Sequence, residues 1–240
     1  MSKLLVSVRS QIEAGAALAG GAEIIDVKEP SRGSLGMAPR ITWRRVRKAL
    51  PRSTVVSVAL GELPEWTASD QIVIPQRSWK GIDFRKVGLA GVGPDWRESW
   101  RALRDRLSDT GEAAGLDERP SWVGVVYLDW ERARAPEPDL VIDEAITMRE
   151  CAGVLFDTWD KYRRPDFHPL WGKWMLRVKK TGRFVALAGS LDEDAIRRFR
   201  PLQPDIFAVR GAACLGGNRN APIDPERVAR LVALAESDDW

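Results

Sequence analysis

Eight short runs of β-branched and apolar residues recur along the chain, each followed by a stretch with helical character. This alternation constrains the fold more than any other feature of the sequence. The runs are Leu4–Val8, Glu23–Lys28, Val55–Leu60, Ile82–Leu89, Trp122–Asp129, Gly153–Thr158, Phe184–Gly189 and Ile206–Arg210. Helices are predicted over Gln11–Ala19, Trp43–Leu50, Trp96–Ala113, Asp139–Glu150, Leu170–Lys180, Leu191–Phe199 and Pro225–Ala235. The last opens on Asp224-Pro225, a capping residue followed by a proline suited to the first helical position. The connection Pro64–Trp79 holds two prolines and gives the weakest helical signal. Eight strand–helix units in 240 residues match an α/β fold, the (β/α)8 TIM barrel, for which about 250 residues is typical. The alternative is a doubly wound open sheet, which usually carries a glycine-rich loop after its first strand; Ser7-Val8-Arg9-Ser10 is not one. No linker or change of composition divides the chain, so residues 1–240 read as a single barrel domain.

Composition narrows the function. No apolar run approaches the ~20 residues of a membrane span, and the first residues lack a signal-peptide pattern, so a cytoplasmic protein without a membrane partner is expected. Two cysteines, Cys151 and Cys214, make neither a disulfide framework nor a cysteine-based zinc site. The single histidine, His168, excludes histidine-rich metal centres, and its irregular aromatic surroundings favour a packing or solvated role. The basic clusters Arg44-Arg45-Val46-Arg47-Lys48 and Arg197-Arg198-Phe199-Arg200 fall in helix-like segments. With a net charge of only +3 they read as solvated helix faces, and no nucleic-acid partner is expected. Most of the 11 tryptophans read as helix-packing residues; an exposed subset would mark a subunit interface, which leaves a homo-oligomer open.

The chain holds 28 arginines and only nine lysines, so a lysine at a special position is informative. Barrels of this kind place their active sites at the C-terminal ends of the strands. The second strand ends Ile24-Ile25-Asp26-Val27-Lys28, and the period of two puts Asp26 and Lys28 on one face. Lys86 lies late in the fourth strand, Asp129 ends the fifth and Asp157 comes at the end of the sixth, with Lys161 four residues beyond. A structural ring of ion pairs is the bland alternative, but burying such charges carries a desolvation cost that stability alone rarely demands. Lysines gathered at one mouth suit imine formation with an aldehyde or ketone. An ordinary lysine is neutral about 0.04% of the time at pH 7; burial and a second ammonium raise that fraction. Neighbouring aspartates would orient the amines and carry protons.

The last two strands point to an anion. Gly189-Ser190 and Arg210-Gly211 stand where barrels commonly bind phosphate, the glycines for close backbone approach and Arg210 as a clamp. Gly216-Gly217-Asn218-Arg219 reads either as part of the same cradle or as a loop.

Through these residues the chain resembles the (5-formylfuran-3-yl)methyl phosphate synthases of methanofuran biosynthesis. The matching segments are Leu4-Leu5-Val6-Ser7, Ala19-Gly20-Gly21-Ala22-Glu23-Ile24-Ile25-Asp26-Val27-Lys28, Gly33-Ser34-Leu35-Gly36, Lys86-Val87-Gly88-Leu89, Asp157-Thr158, Leu187-Ala188-Gly189-Ser190-Leu191 and Val209-Arg210-Gly211-Ala212. The resemblance implies a barrel lyase that condenses two molecules of glyceraldehyde 3-phosphate into a phosphorylated furan aldehyde, releasing phosphate and water. It implies Lys28 as the Schiff-base residue, Lys86 as a proton acceptor, and Asp26, Asp157 and Lys161 as assistants, with no metal or organic cofactor. The chain departs from the family pattern after Lys161, where Tyr162-Arg163-Arg164-Pro165 replaces a glycine-containing turn. Two other readings stay open: an imine-forming aldolase acting on another phosphorylated aldehyde, and a non-catalytic barrel that binds a phosphorylated ligand.

Overall fold

The computed structural model describes residues 1–68, 72–108, 120–163 and 168–237. Eight parallel strands close a barrel in sequence order: β1 (Lys3–Val8), β2 (Ile24–Val27), β3 (Val55–Glu62), β4 (Phe84–Gly88), β5 (Ser121–Tyr127), β6 (Cys151–Asp157), β7 (Phe184–Leu187) and β8 (Ile206–Val209). The closure is β1 against β8, with Lys3 opposite Ile206 and Val6 opposite Val209. This is the predicted α/β barrel, and each strand falls within one or two residues of its expected bounds. Lys28 lies one residue past β2, and Asp157 is the last residue of β6.

The helices are α1 (Gln11–Ala19), α2 (Arg40–Ala49), α3 (Leu63–Thr67), α4 (Trp96–Ser108), α5 (Trp130–Ala133), α6 (Pro138–Thr147), α7 (Leu170–Lys179), α8 (Glu193–Phe199) and α9 (Pro225–Glu236). Side chains set several of their starts. Ser10 accepts from the Glu13 N–H at α1, Asp192 from Ala195 at α8, and Asp224 from Glu226 at α9. The Asp192 cap moves the start of α8 two residues inward of the expected Leu191. Helix α2 starts three residues ahead of the expected Trp43, directly after Pro39. Among its described residues the doubtful Pro64–Trp79 connection holds the one-turn α3 and a 3₁₀ turn at Gln76–Trp79. The expected end of the fourth-strand helix, Ala113, lies outside the described residues.

Alternation along the strands divides the apolar residues into two layers. Leu4, Val6 and Val8, with Ile25 and Val27, face the helices, where Trp43, Trp66, Trp79, Trp96, Trp100, Trp122, Trp171 and Trp174 are all buried. The tryptophans are therefore mainly the mortar between barrel and helices, as expected. Inside the barrel lie Leu5, Ile24, Val123, Val125, Leu155, Ala186 and Ile206. Phe84 and Phe184 meet edge to face at 5.2 Å across this interior. The polar residues start above this apolar packing, with Ser7, Asp26 and Ser57 side by side on β1, β2 and β3. The basic clusters are solvated: Arg44, Arg45 and Lys48 lie exposed on α2 while Trp43 and Val46 turn inward, and Arg197 and Arg198 do the same on α8 beside buried Phe199. Among the described residues no helix is long and apolar enough to cross a membrane.

Candidate active site

At the C-terminal end of the barrel the strands surround a cavity of about 590 Å³, lined among others by Asp26, Lys28, Lys86, Asp157, Lys161, Gly189, Ser190, Gly211 and Arg219. The structure brings together all five residues expected to do chemistry. Asp26 and Lys28 project inward from β2, Lys86 from β4 and Asp157 from β6, each less than a tenth exposed. Lys161 reaches back from the loop after β6, its side chain 11% exposed.

These residues form two lysine–aspartate pairs with a third lysine between them. Lys86 Nζ donates to Asp26 Oδ1 at 2.5 Å and to Ser57 Oγ at 2.7 Å. The other oxygen of Asp26 accepts from Ser7 Oγ at 3.1 Å. On the opposite side Asp157 Oδ1 accepts from Lys161 Nζ and from the Thr158 N–H at 2.8 Å. Lys28 differs from both partners. Among the described residues its one hydrogen-bond acceptor is the neutral carbonyl of Ser34, at 3.2 Å.

That difference sets the electrostatics. Burial first, and the Lys161 ammonium second, bring the Lys28 amine down to about 8, against the opposing attraction of Asp157 and Asp26. An amine with that value is neutral about a tenth of the time at pH 7, a gain of more than a hundredfold over an ordinary lysine. Burial pushes the Asp157 carboxyl up, but the Lys161 and Lys28 charges and the hydrogen bonds to Lys161 and Thr158 outweigh it. Asp157 is thus held below the usual carboxylate range and stays an anion. The mouth presents one nucleophile and, beside it, two fixed cation–anion pairs able to exchange protons with a bound carbonyl compound.

The loops after β7 and β8 have the expected backbone shape but not the expected cation. Gly189 and Ser190 both carry positive φ, at 108° and 52°, and Ser190 Oγ donates to the Lys161 carbonyl at 2.9 Å. A Cβ at Gly189 would lie 3.0 Å from Thr158, so glycine is needed there for space as well as for conformation. Gly211 opens a 3₁₀ turn facing the same cavity. Arg210, expected to clamp phosphate, is committed elsewhere. Its Nε donates to the Arg219 carbonyl, and its two terminal nitrogens donate to the Glu13 carboxylate and to the carbonyls of Ser7 and Ala221. A guanidinium has five N–H donors, and these five bonds use them all. The clamp reading of Arg210 is corrected accordingly: it braces the loop that carries Arg219. Arg219 itself lies half-buried on the cavity wall, with one long bond to the Pro30 carbonyl at 3.4 Å.

Asp129 accepts from the Trp159 and Asp160 N–H groups at 2.7 and 2.9 Å, and so holds the loop bearing Lys161. His168 is exposed, accepts from the Leu170 N–H at 3.3 Å and stacks on Trp174. Both cysteines are free and buried. Among the described residues no group of three or more His, Cys, Asp or Glu side chains is placed to hold a metal ion. Of the departure after Lys161, residues 164–167 lie outside the described residues.

The model of 4-HFC-P synthase matches residues 4–232. The chain belongs to that family. A member from Methanocaldococcus jannaschii, named (5-formylfuran-3-yl)methyl phosphate synthase, is 32% identical over 238 residues, which cover 97% of this chain and 99% of that one. A second, of the same name, from Methanococcus maripaludis strain S2, is 34% identical over 222 residues, 91% of this chain and 92% of its own. Structural similarity reaches beyond the 4-HFC-P synthase family. Phosphoribosyl anthranilate isomerase from Thermotoga maritima superposes with a TM-score of 0.58 at 16% identity, covering 98% of this chain and 99% of the other. KGPDC from Streptococcus mutans gives 0.58 at 12% identity with the same coverage. These two likenesses speak to the barrel alone.

Proposed function

We propose that this barrel condenses two molecules of glyceraldehyde 3-phosphate into (5-formylfuran-3-yl)methyl phosphate, with loss of one phosphate and two waters, through a Schiff base on Lys28. The observation that carries the reading is the environment of the Lys28 amine: buried, poised at about 8, and bonded to a neutral carbonyl rather than to a carboxylate. Membership of the synthase family supports the same reading.

In this scheme the neutral Lys28 amine adds to the aldehyde carbon of one triose phosphate. Loss of water leaves an iminium, which acidifies the adjacent carbon–hydrogen bond. Lys86 Nζ takes that proton as its own passes to Asp26 Oδ1, 2.5 Å away. The enamine then has the electron pair needed to attack the aldehyde of the second triose. Asp157 and Lys161 serve the later eliminations, the ammonium donating to the departing hydroxyls and to the departing phosphate of one triose and the carboxylate recovering the proton, and water then hydrolyses the imine to free Lys28. Substrate phosphate rests on the Gly189-Ser190 and Gly211 backbone, with Arg219 supplying charge. The enzyme is a carbon–oxygen lyase in this reading, working without a metal or organic cofactor, in the cytoplasm, as one domain.

Purified protein incubated with glyceraldehyde 3-phosphate alone tests the proposal. A furan chromophore in the ultraviolet, one phosphate released per furan, and a borohydride-reduced adduct on Lys28 are expected. A different aldol product would assign another imine chemistry to the same lysine, and no adduct under turnover conditions would exclude the imine.

A further inference from the structure

The Gly33-Ser34-Leu35-Gly36 segment is part of the family resemblance, yet the chemistry above uses only its Ser34 carbonyl. It folds over the mouth of the barrel and is pinned there, the Gly36 carbonyl accepting from Glu29 and the Leu35 carbonyl from Gly61, each at 2.8 Å. Ser34 is 1% exposed and stands between the nucleophile and a carboxylate. Its carbonyl accepts from Lys28 Nζ at 3.2 Å, while its hydroxyl faces Asp157 Oδ2 at 3.0 Å and the Thr158 carbonyl at 3.2 Å.

Two further buried groups stand behind Ser34. Tyr127 and Asp157 are register partners on β5 and β6, and the Tyr127 phenol interacts with the Ser34 hydroxyl. The phenol donates to Glu62 Oε1 at 2.6 Å, and Glu62 Oε2 accepts from the Ala90 N–H at 3.0 Å. The barrel leaves room for this pair at Gly88, where any Cβ would collide with the Glu62 carboxylate and come within 2.5 Å of the Tyr127 oxygen. Burial raises the affinity of the Glu62 carboxyl for its proton, and burial with the Glu62 charge keeps the phenol protonated.

The arrangement has a consequence for Lys28. Asp157 Oδ1 is filled by Lys161 and the Thr158 N–H, so Oδ2 is the oxygen open to a further donor. An ammonium there would form a direct ion pair with Asp157, which favours the charged form and removes the nucleophile. The Ser34 hydroxyl occupies that oxygen instead. We infer that Ser34 is a positioning residue for the imine reaction: its hydroxyl holds Asp157 and its carbonyl holds the Lys28 amine. The inference rests on the Schiff-base reading of Lys28.

The groups facing the Lys28 amine are Asp26 on β2, Lys86 on β4, Asp157 on β6 and Lys161 beyond it. Replacing Ser34 by alanine frees Asp157 toward Lys28 and leaves the other three in place. The pH dependence of kcat/KM, KM and borohydride trapping are compared for wild type, S34A and S34C with glyceraldehyde 3-phosphate. In S34A the acid limb is expected to move up by about one pH unit, with activity at pH 7 down about tenfold, since one unit is a factor of ten in neutral amine. KM should stay within about threefold, and the Lys28 adduct should return to wild-type yield at high pH. S34C, whose thiol is a weaker donor to Asp157, should move the limb the same way by less. An unmoved limb, or a loss of activity equal at every pH, overturns the inference. Wild-type protein that forms no Lys28 adduct overturns the imine reading itself and this inference with it. Should S34A fail to fold, the S34C profile decides by the same criteria.

Discussion

Arg210 and Glu13 meet in a two-pronged ion pair, Nη1 to Oε2 at 2.5 Å and Nη2 to Oε1 at 3.1 Å, that ties the end of β8 to the first turn of α1. Both side chains are nearly sealed from solvent, at 6% and 7% exposure. Arg9 approaches the same carboxylate from the other side at 2.6 Å, and its second terminal nitrogen reaches the Asn220 carbonyl. Three elements and the loop bearing Arg219 are thereby fixed to one glutamate.

Removing one partner of this pair should cost about 3–5 kcal/mol, because the other is left as an uncompensated buried charge. For a chain of this size that corresponds to a fall in Tm on the order of 10 °C in Arg210→Met, read by calorimetry. Burial opposes the Glu13 anion, but the Arg210 and Arg9 hydrogen bonds outweigh it and hold the carboxyl below its ordinary value. Its contribution to stability is therefore full above about pH 4.5 and disappears as the pH falls through the lowered value. A Glu13→Gln variant should flatten the acid side of the Tm–pH curve.

Arg219→Ala should act on binding rather than on stability. The half-buried guanidinium has only one long protein hydrogen bond among the described residues, so its loss should leave Tm within about 2 °C. If it supplies the charge opposite substrate phosphate, KM should rise roughly tenfold to a hundredfold, the effect of about 1.5–3 kcal/mol from a charge-assisted hydrogen bond. A KM unchanged in Arg219→Ala would remove it from the phosphate site.

Lys28→Arg preserves charge and removes the chemistry. A guanidinium stays protonated and forms no stable imine, so both furan production and the borohydride adduct should vanish. In the wild type, kcat/KM should climb with pH and level off above about 8, where the amine is mostly neutral. An acid limb near 10 would mean that the amine is unperturbed.

The same lysine should weaken the folded state. Its folded value, about 8, lies below the ordinary 10.5, so the unfolded chain binds the extra proton between those limits and stability rises with pH there. Below pH 8 the penalty is fully felt, on the order of 3 kcal/mol at most. Lys28→Met should therefore raise Tm at pH 7, with a gain that shrinks through pH 8 to 10.5. Equal gains at pH 7 and pH 11 would attribute the effect to packing alone.

The parts of this molecule written as periodic pattern are legible in the sequence. Period-two alternation places Asp26 and Lys28 on one face, and the strand ends place Lys86 and Asp157 at the same mouth. Contacts between distant segments leave no such trace. Glu13 has the look of an acid in a first helical turn, and nothing local pairs it with a residue 197 positions away. Arg210 is misread for that reason: its place at a strand end is legible, its partner is not. Ser34 sits in a loop whose path over the cavity depends on bonds to Glu29 and Gly61, and Tyr127 resembles any aromatic in a buried strand. The unusual Gly33-Ser34-Leu35-Gly36 is the one available signal for that corner. Glu62 escapes notice because β3 runs two residues past its apolar stretch.

The tryptophan layer gives the molecule two optical voices. Buried indoles such as Trp43, Trp79, Trp100 and Trp122 have no hydrogen-bond partner for their N–H among the described residues, and their emission reports whether that layer is intact. Trp159, 42% exposed in the loop that Asp129 and Ser190 secure, faces solvent instead. Melting is announced by the many, and a disturbance of that loop by the one.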